Sequence, residues 1–300
     1  MKLVIFGHVA IDYIFSVNTH PKNGESVPVH SWAKRLGGTG ANIARAASRL
    51  GLKTHLASFV GDDFPQEFEC VLRDDGVLLD ALVKIRGERT PRCWIFIDEN
   101  KISRVYIDQG AMMRWRMCKE HLSAVEAADI VHIGTGPPKY YLQIAKFGKE
   151  LEKIVAFDPS QEISYMYDRE DFVRITKYAN IFFCNEREAK VAAKYLNLKS
   201  ISDLSTVYET VIITRGSLGS VIMHGGKTYN IPSHAASVID PTGAGDAYRA
   251  GFYAAYSRGM SISDCGKIGA IVASYVLGRV GGQENLPVWK EVYSDFLKFK

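Results

Sequence analysis

Residues 238–257, VIDPTGAGDAYRAGFYAAYS, combine a short apolar run, a glycine-rich turn and a predicted helix. Thr242 is a suitable N-cap and could begin that helix unaided. Helix stability does not explain Gly243 and Gly245, because glycine inside a helix costs roughly 1 kcal/mol relative to alanine. Glycine does leave backbone N–H groups accessible at a helix N-terminus, where the dipole adds partial positive charge. The turn therefore predicts an anion-binding site.

Asp246 follows this turn directly and has two interpretations. A carboxylate in the first turn of a helix is stabilising by about 0.3–1 kcal/mol through the helix dipole. Beside a bound phosphoryl group, the same carboxylate is placed to accept the proton of an attacking hydroxyl. The stretch is consistent with phosphoryl transfer with Asp246 as general base and equally with the dipole role.

A second glycine cluster, RLGGTGANIARAASRLG at residues 35–51, also opens a predicted helix. Its apolar stripe consists of Ile43, Ala46, Ala47 and Leu50. Asn42 falls in the first turn, where it either faces a ligand for which the glycines leave space or helps to cap the turn. The spacing does not match a G-x-G-x-x-G dinucleotide fingerprint, and Val221 stands where a Walker A loop at 226–228 would need glycine.

The rest of the chain alternates between short apolar runs and helical stretches. The apolar runs occupy residues 129–134, 153–159, 180–184 and 210–216. The helical stretches occupy residues 139–152, about 169–178 and 185–196. Nearly unbroken, β-rich apolar strands are typical of a parallel sheet covered on both faces. We therefore predict an α/β fold with a mostly parallel central sheet flanked by helices.

Residues 13–36 and 91–108 interrupt this alternation. Proline and glycine punctuate the first region, and the second resembles a hairpin with its turn at 98–101. Polar residues at alternate positions predict a small, half-exposed second sheet. It would serve as a lid or a dimer surface, unless it is a plain surface hairpin. Since the sequence has no internal repeat or low-complexity linker, we expect one domain over residues 1–300.

Composition favours a small-molecule partner. The 300 residues carry a net charge of +4 without a dense basic run, which gives nucleic-acid binding no electrostatic support. No apolar run reaches the ~18 residues of a membrane span. The N-terminal run is interrupted by Gly7, His8 and Asp12, so it is more typical of a strand than of a signal peptide. Five scattered cysteines favour a reducing compartment, and we expect a cytoplasmic protein.

Together the two glycine clusters resemble the paired signatures of the PfkB family, the ribokinase-like kinases. The N-terminal signature matches residues 37–44, GGTGANIA, and two later glycines. The C-terminal signature matches residues 240–246, DPTGAGD, and AGF at 250–252. Tyr253 departs from the smaller or aliphatic residue usual there, and we expect it to lie on the helix away from the loop. The resemblance covers nearly the whole chain and implies a ribokinase-like fold with a β-sheet lid.

The resemblance also implies an ATP-dependent kinase of sugars, nucleosides or related alcohols. The implied catalytic residues are the anion-hole residues Gly243, Ala244 and Gly245 and the base Asp246. The implied acceptor-binding residues are Asp12, Gly38 and Asn42. For Asp12, a turn residue at a strand end is the alternative interpretation. An acidic residue within an apolar run is nevertheless unusual without a partner.

Two further motifs resemble the donor side of the family's site. NERE at 185–188 matches an N-x-x-E element associated with magnesium and phosphate positioning, although it also fits a helix capping box. TRGSLG at 214–219 resembles a nucleotide-binding strand-turn, or a plain hairpin turn. The implied ATP-binding residues are Asn185, Thr214, Arg215, Gly216 and Gly219, with Glu188 acting on the metal through water. The implied cofactors are ATP and Mg²⁺, and a monovalent cation is left open.

Within the family, the chain resembles the adenosine-kinase-like members of bacteria and archaea. The features that favour them are Arg249 in YRAG, AFDPSQE at 156–162 and GGQE at 281–284. Six lid aromatics either stack a base or pack the lid on the main sheet: Tyr13, Phe15, Trp32, Trp94, Phe96 and Tyr106. We expect transfer to the 5′-hydroxyl of an adenosine-like nucleoside. The alternatives are a ribose or fructose kinase and an inactive nucleotide-binding regulator. Exposed strand edges also allow a homodimer through the lid.

Overall fold

The computed structural model describes residues 1–100, 102–234, 237–278 and 283–299. Its strands are β1 Lys2–Phe6, β2 Ala10–Val17, β3 Val29–Gly37, β4 Lys53–Gly61, β5 Leu82–Ile85, β6 Arg92–Ile97, β7 Ser103–Asp108, β8 Ile130–Ile133, β9 Ile154–Phe157, β10 Ile181–Asn185, β11 Thr210–Thr214, β12 Ser220–His224 and β13 Lys227–Ile231. Its α-helices are α1 Thr39–Arg49, α2 Gln66–Asp74, α3 Lys119–Ala127, α4 Pro138–Glu150, α5 Arg169–Thr176, α6 Glu186–Tyr195, α7 Ala244–Tyr256, α8 Ile262–Leu277 and α9 Trp289–Lys298. None of these helices combines the length and apolar character needed to cross a membrane.

The large sheet has nine strands in the order β13-β12-β11-β10-β9-β8-β1-β4-β5. All neighbours are parallel except the β11–β12 and β12–β13 pairs, which are antiparallel. Successive residues of β1 enter different cores: Leu3 and Ile5 pack on the α1, α7 and α8 side, whereas Val4 and Phe6 pack on the side of α3 to α6. The sheet is therefore buried on both faces, which confirms the predicted ribokinase-like α/β class.

The small sheet has the order β3-β2-β6-β7 and is separate from the large one. Strand β2 is antiparallel to β3 and parallel to β6, and β6 forms the predicted hairpin with β7. Position 101, in the predicted turn, lies outside the described residues. The small sheet, hereafter the lid, lies next to the carboxyl ends of the central strands because β2 follows β1 after a short turn.

Candidate active site

A cavity of about 640 Å³ lies between the lid and the carboxyl ends of the central strands. This is the edge at which open parallel sheets bind ligands. Its lining includes nine of the predicted site residues: Asp12, Gly38, Asn42, Asn185, Glu188, Thr214, Gly243, Gly245 and Asp246. Residues far apart in sequence thus meet in one cavity.

Three predicted ATP-binding residues lie in the turn between β11 and β12 and do not line this cavity: Arg215, Gly216 and Gly219. The conformation of this turn accounts for both glycines, since their φ angles are 55° and 81°. A Cβ at Gly219 would also lie 2.1 Å from the carbonyl oxygen of Ile231. The antiparallel β11–β12 pair confirms the hairpin interpretation. The ATP-binding role of the turn stays a prediction.

The 243–245 turn opens α7 without a side-chain cap. Gly243 is the N-cap residue and adopts a left-handed conformation, with φ 75°. The expectation that Thr242 caps the helix is therefore wrong. The backbone N–H of Thr242 instead donates to Asp240 Oδ1 at 2.9 Å, which folds the chain tightly before the helix begins. Glycine suits position 243 because a side chain would be strained at this φ.

Asp246 is partly buried in the first turn of α7 and faces the cavity. Asn42 Nδ2 donates to its Oδ2 at 2.7 Å. Burial raises the pKa of Asp246 to about 7, although the positive charge of Arg249 and the Asn42 hydrogen bond act in the opposite direction. A carboxylate with a pKa near neutrality suits a general base.

Asn42 has both ends of its amide engaged. Besides the bond to Asp246, its Oδ1 accepts from Gln283 Nε2 at 2.6 Å, and Gln283 Oε1 in turn accepts from Arg45 Nη1 at 2.6 Å. Helix α1 begins without any side-chain cap, so the capping interpretation of Asn42 is wrong. Gly281 and Gly282 of the predicted GGQE feature lie outside the described residues. Gln283 of this feature, however, hydrogen-bonds to Asn42, which in turn hydrogen-bonds to Asp246.

Asp12 presents an unsatisfied carboxylate oxygen to the cavity. Its Oδ1 is buried without a hydrogen-bond partner among the described residues. Burial raises the pKa of Asp12 to about 6, and a hydrogen bond with the Cys93 thiol lowers it partially. Asp12 lies within β2, so the strand-end interpretation is wrong. Gly37 makes room for it, since a Cβ at Gly37 would lie 2.0 Å from Asp12 Oδ2. A carboxylate with one buried oxygen left without a partner fits a hydroxyl-bearing ligand.

At the donor end, Asn185 and Glu188 form the predicted capping box at the start of α6. Glu188 N donates to Asn185 Oδ1 at 2.9 Å, while Glu188 Oε2 accepts from Asn185 N at 2.8 Å. Burial raises the pKa of Glu188, and Arg249 lowers it partially. No group of three or more His, Cys, Asp or Glu in the described ranges could hold a metal ion. The action of Glu188 on magnesium through water stays a prediction.

A polar cluster in the cavity escaped the sequence analysis. His8 Nδ1 lies 2.8 Å from Thr135 Oγ1, and its Nε2 contacts Gln109. Gln109 Nε2 donates to Glu162 Oε1 at 3.0 Å, and the Gly136 N–H donates to Glu162 Oε2 at 2.5 Å. In the sequence, His8 stood out as an interruption of an apolar run and Glu162 as the last residue of AFDPSQE. Their link was not predictable, because Gln109, which joins them, lies 101 positions from His8 and 53 from Glu162.

At the cavity wall, Arg249 forms a buried ion pair with Asp158. Arg249 Nη2 donates to Asp158 Oδ1 at 2.8 Å, and Nε donates to the other oxygen. His132 Nε2 lies 3.6 Å from Asp158, and His132 Nδ1 lies 2.8 Å from the Tyr253 hydroxyl. Burial lowers the pKa of His132 to about 4, so its ring is neutral near pH 7. Tyr253 lies away from the loop as expected, but it supports this network.

The lid presents aliphatic side chains to the cavity and aromatic ones to the outside. The apolar residues of the lid that line the cavity include Ile14, Ile95, Ile97, Val105 and Ile107. The aromatics occupy the alternate positions and contact one another: the Tyr13 and Trp94 rings are 6.4 Å apart, and the Phe15 and Phe96 rings 4.8 Å. The expectation that they stack a base is therefore wrong. Of the six, only Tyr13 packs against the central core; Trp32 is 62% exposed.

Known proteins resemble this chain over nearly its whole length. The model of the pfkB family of carbohydrate kinases matches residues 1–289. Nucleoside kinases of Methanocaldococcus jannaschii and Methanothermobacter thermautotrophicus are 38% and 32% identical, over 97% and 98% of this chain and 95% of each relative. The crystal structure of the M. jannaschii nucleoside kinase, an archaeal member of the ribokinase family, superposes with a TM-score of 0.90 at 36% identity, covering 99% of this chain and 98% of that one. The chain therefore belongs to the pfkB family and is a kinase that phosphorylates a hydroxyl group of a nucleoside or a sugar.

Proposed function

We propose that this chain transfers the γ-phosphoryl group of ATP to the 5′-hydroxyl of a nucleoside such as adenosine. The observation that carries the proposal is the placement of Asp246. Its carboxylate, with a pKa of about 7, faces the cavity at the N-terminus of α7, beside the left-handed Gly243 turn. A proton acceptor and an anion-binding turn thus occupy the same position, as in-line phosphoryl transfer requires.

In the proposed reaction, Asp246 accepts the proton of the 5′-hydroxyl while the hydroxyl oxygen forms a bond to the γ-phosphorus. The bond between that phosphorus and the β–γ bridging oxygen breaks, and ADP leaves with the electron pair. Backbone N–H groups of Gly243, Ala244 and Gly245, with the dipole of α7, stabilise the charge on the phosphoryl oxygens. The proton and the negative charge are therefore handled by adjacent residues of one turn.

Asp12, Gly38 and Asn42 are proposed to bind the ribose part of the acceptor. Support comes from the unpaired Oδ1 of Asp12 and from the backbone at Gly38, where φ is 91° and a Cβ would lie 2.3 Å from the His8 carbonyl oxygen. The aliphatic face of the lid favours a nucleoside over a free sugar, because a base offers an apolar face whereas a pentose carries hydroxyls all around. The 38% identical relative is also a nucleoside kinase.

On the donor side, we propose that Asn185 and Thr214 approach ATP and that Glu188 acts on Mg²⁺ through water. Both Asn185 and Thr214 line the cavity beside the 243–245 turn.

Three further expectations stay predictions: a monovalent cation, a single kinase domain over residues 1–300 and a cytoplasmic location. So does a homodimer through the lid, for which the exposed outer face with Trp32 and Tyr106 offers a surface.

The proposal is tested by measuring ADP release from Mg-ATP with adenosine, inosine, cytidine, ribose and fructose. We expect turnover with nucleosides and none with the two sugars. Turnover with ribose or fructose alone would keep the kinase chemistry and overturn the nucleoside assignment. No turnover with any of the five, while ATP still binds, would favour the nucleotide-binding regulator.

A further inference from the structure

Arg249 is a buried cation next to the proposed anion hole. It lies on α7 one turn after Asp246, is 5% exposed, and lines the same cavity as Gly243, Gly245 and Asp246. A buried guanidinium is costly unless its charge is matched. Its hydrogen-bonding pattern therefore indicates which ligands it is built to meet.

The guanidinium is only partly satisfied by protein. Nε and Nη2 form a bidentate pair with the two oxygens of Asp158, with Nη2 2.8 Å from Oδ1. The hydrogen bonds that Arg249 donates to described residues run from Nε and Nη2, and Nη1 takes part in neither. Among the described residues, neither the Asp246 nor the Glu188 carboxylate lies within ion-pair distance of Arg249. The pair with Asp158 accounts for one edge of the guanidinium and leaves the other unused.

The unused nitrogen lies alongside the turn. A Cβ built at Gly245 would be 2.9 Å from Arg249 Nη1 and 3.9 Å from its Cζ. Glycine at position 245 therefore leaves space for the guanidinium as well as exposing backbone N–H groups. Because Asp158 holds the opposite edge, the guanidinium cannot move away from the turn without breaking a buried ion pair.

Arg249 offers a positive charge at a position where the other nearby charges are negative. Three carboxylates interact electrostatically with Arg249, those of Asp158, Asp246 and Glu188. Only Asp158 contacts it directly. A phosphoryl group entering between Asp246 and Glu188 needs a fixed positive charge, and a planar guanidinium is well suited to phosphate oxygens.

We infer that Arg249 is a catalytic residue whose Nη1 donates a hydrogen bond to a non-bridging oxygen of the phosphoryl group in transit. The proton stays on the guanidinium throughout, so the contribution is electrostatic. Asp158 is a positioning residue, supported by His132 and Tyr253 behind it. The inference rests on the proposed function, in that the phosphoryl group must pass over the 243–245 turn.

The test substitutes Arg249→Lys, which keeps a positive charge able to pair with Asp158 but removes the second donor edge. We expect kcat to fall roughly 100- to 1,000-fold, as when one oxyanion-hole donor is lost, with the nucleoside KM changed less than about threefold. The loss should persist at high pH. Full recovery at high pH would overturn the inference, because Arg249 would then act only by lowering the pKa of Asp246.

Arg258→Lys is the matched control. Arg258 follows α7, stacks on Trp289 at 3.8 Å from the ring centroid and donates to backbone carbonyls, but it does not line the cavity. We expect this variant to keep wild-type kcat. A loss equal to that of Arg249→Lys would assign both effects to folding and overturn the inference.

An equilibrium measurement separates this inference from the proposed function. ADP alone and ADP with aluminium fluoride, which mimics the phosphoryl group in transit, are titrated into wild type and Arg249→Lys in the presence of Mg²⁺ and adenosine. We expect similar ADP affinity in both proteins and at least tenfold weaker binding of the aluminium fluoride complex to the variant. Equal effects on both probes would overturn the role of Arg249. Absence of wild-type turnover with every acceptor would instead overturn the proposed function.

Discussion

Asn42 Nδ2 donates a hydrogen bond of 2.7 Å to Asp246 Oδ2, joining residues 204 positions apart in the chain. The contact brings the first turns of α1 and α7 together at one side of the cavity. It also links the two glycine clusters: Asn42, from the N-terminal cluster, orients Asp246, the proposed base from the C-terminal cluster. The Gln283 amide completes the arrangement by fixing which end of Asn42 faces Asp246.

This contact predicts the pH dependence of the enzyme. The base must be ionised, so kcat/KM should rise with pH through a midpoint near 7, the pKa of Asp246. In Asn42→Leu, the loss of a hydrogen bond that lowers this pKa should move the midpoint to higher pH. Asn230→Leu, at an exposed position on β13, serves as the control. An unchanged midpoint in Asn42→Leu would contradict the coupling.

Asp12 is predicted to act on the acceptor alone. Removing a charged partner of ribose hydroxyls in Asp12→Ala should raise the nucleoside KM roughly 10- to 100-fold. The KM of ATP should change less than about twofold, because Asp12 lies on the lid. Asp12→Asn retains the size of the side chain and tests the charge separately. Steady-state kinetics with each substrate varied in turn provide the measurement, and equal effects on both KM values would remove the acceptor role.

Asp246 should make the folded protein less stable as the pH rises. Its folded-state pKa of about 7 exceeds its ordinary value of 3.8, so the unfolded chain ionises first. Wild type should therefore lose more stability between about pH 4 and pH 7 than Asp246→Asn, which lacks this carboxyl group. We expect the variant's advantage in free energy of unfolding to grow across this range, by on the order of 2 kcal/mol. Denaturant unfolding at pH 5 and pH 8 measures it. A pH-independent difference would contradict the burial effect.

Several features were predictable because they depend on local sequence. Unbroken apolar runs indicated the parallel sheet, and the two glycine clusters indicated where Asn42 and Asp246 would lie. The orientation of the lid was not predictable. Alternation defines two faces for β2 and β6, but it does not say whether Ile14 and Ile95 or Tyr13 and Trp94 face the cavity.

Three other features depend on contacts or conformations that the sequence does not encode locally. Thr242 is a favourable cap residue, yet Gly243, in a left-handed conformation, is the N-cap, so the helix begins one residue later than expected. The His8–Gln109–Glu162 cluster joins three separate segments at the cavity wall. Arg249 stood out only as part of the YRAG motif, and its pairing with Asp158 requires the end of β9 to meet α7 in the fold.

The most direct test of the account compares phosphoryl transfer from Mg-ATP to adenosine by wild type and Asp246→Asn. ATP binding is measured in parallel by titration, and the position of the transferred phosphate is read by ³¹P NMR. We predict adenosine 5′-phosphate from wild type, no measurable turnover by Asp246→Asn, and ATP affinity within about threefold in both, because the substitution removes only a proton acceptor. Wild-type turnover by Asp246→Asn would contradict the central claim and leave Asp246 as a residue that only stabilises the N-terminus of α7.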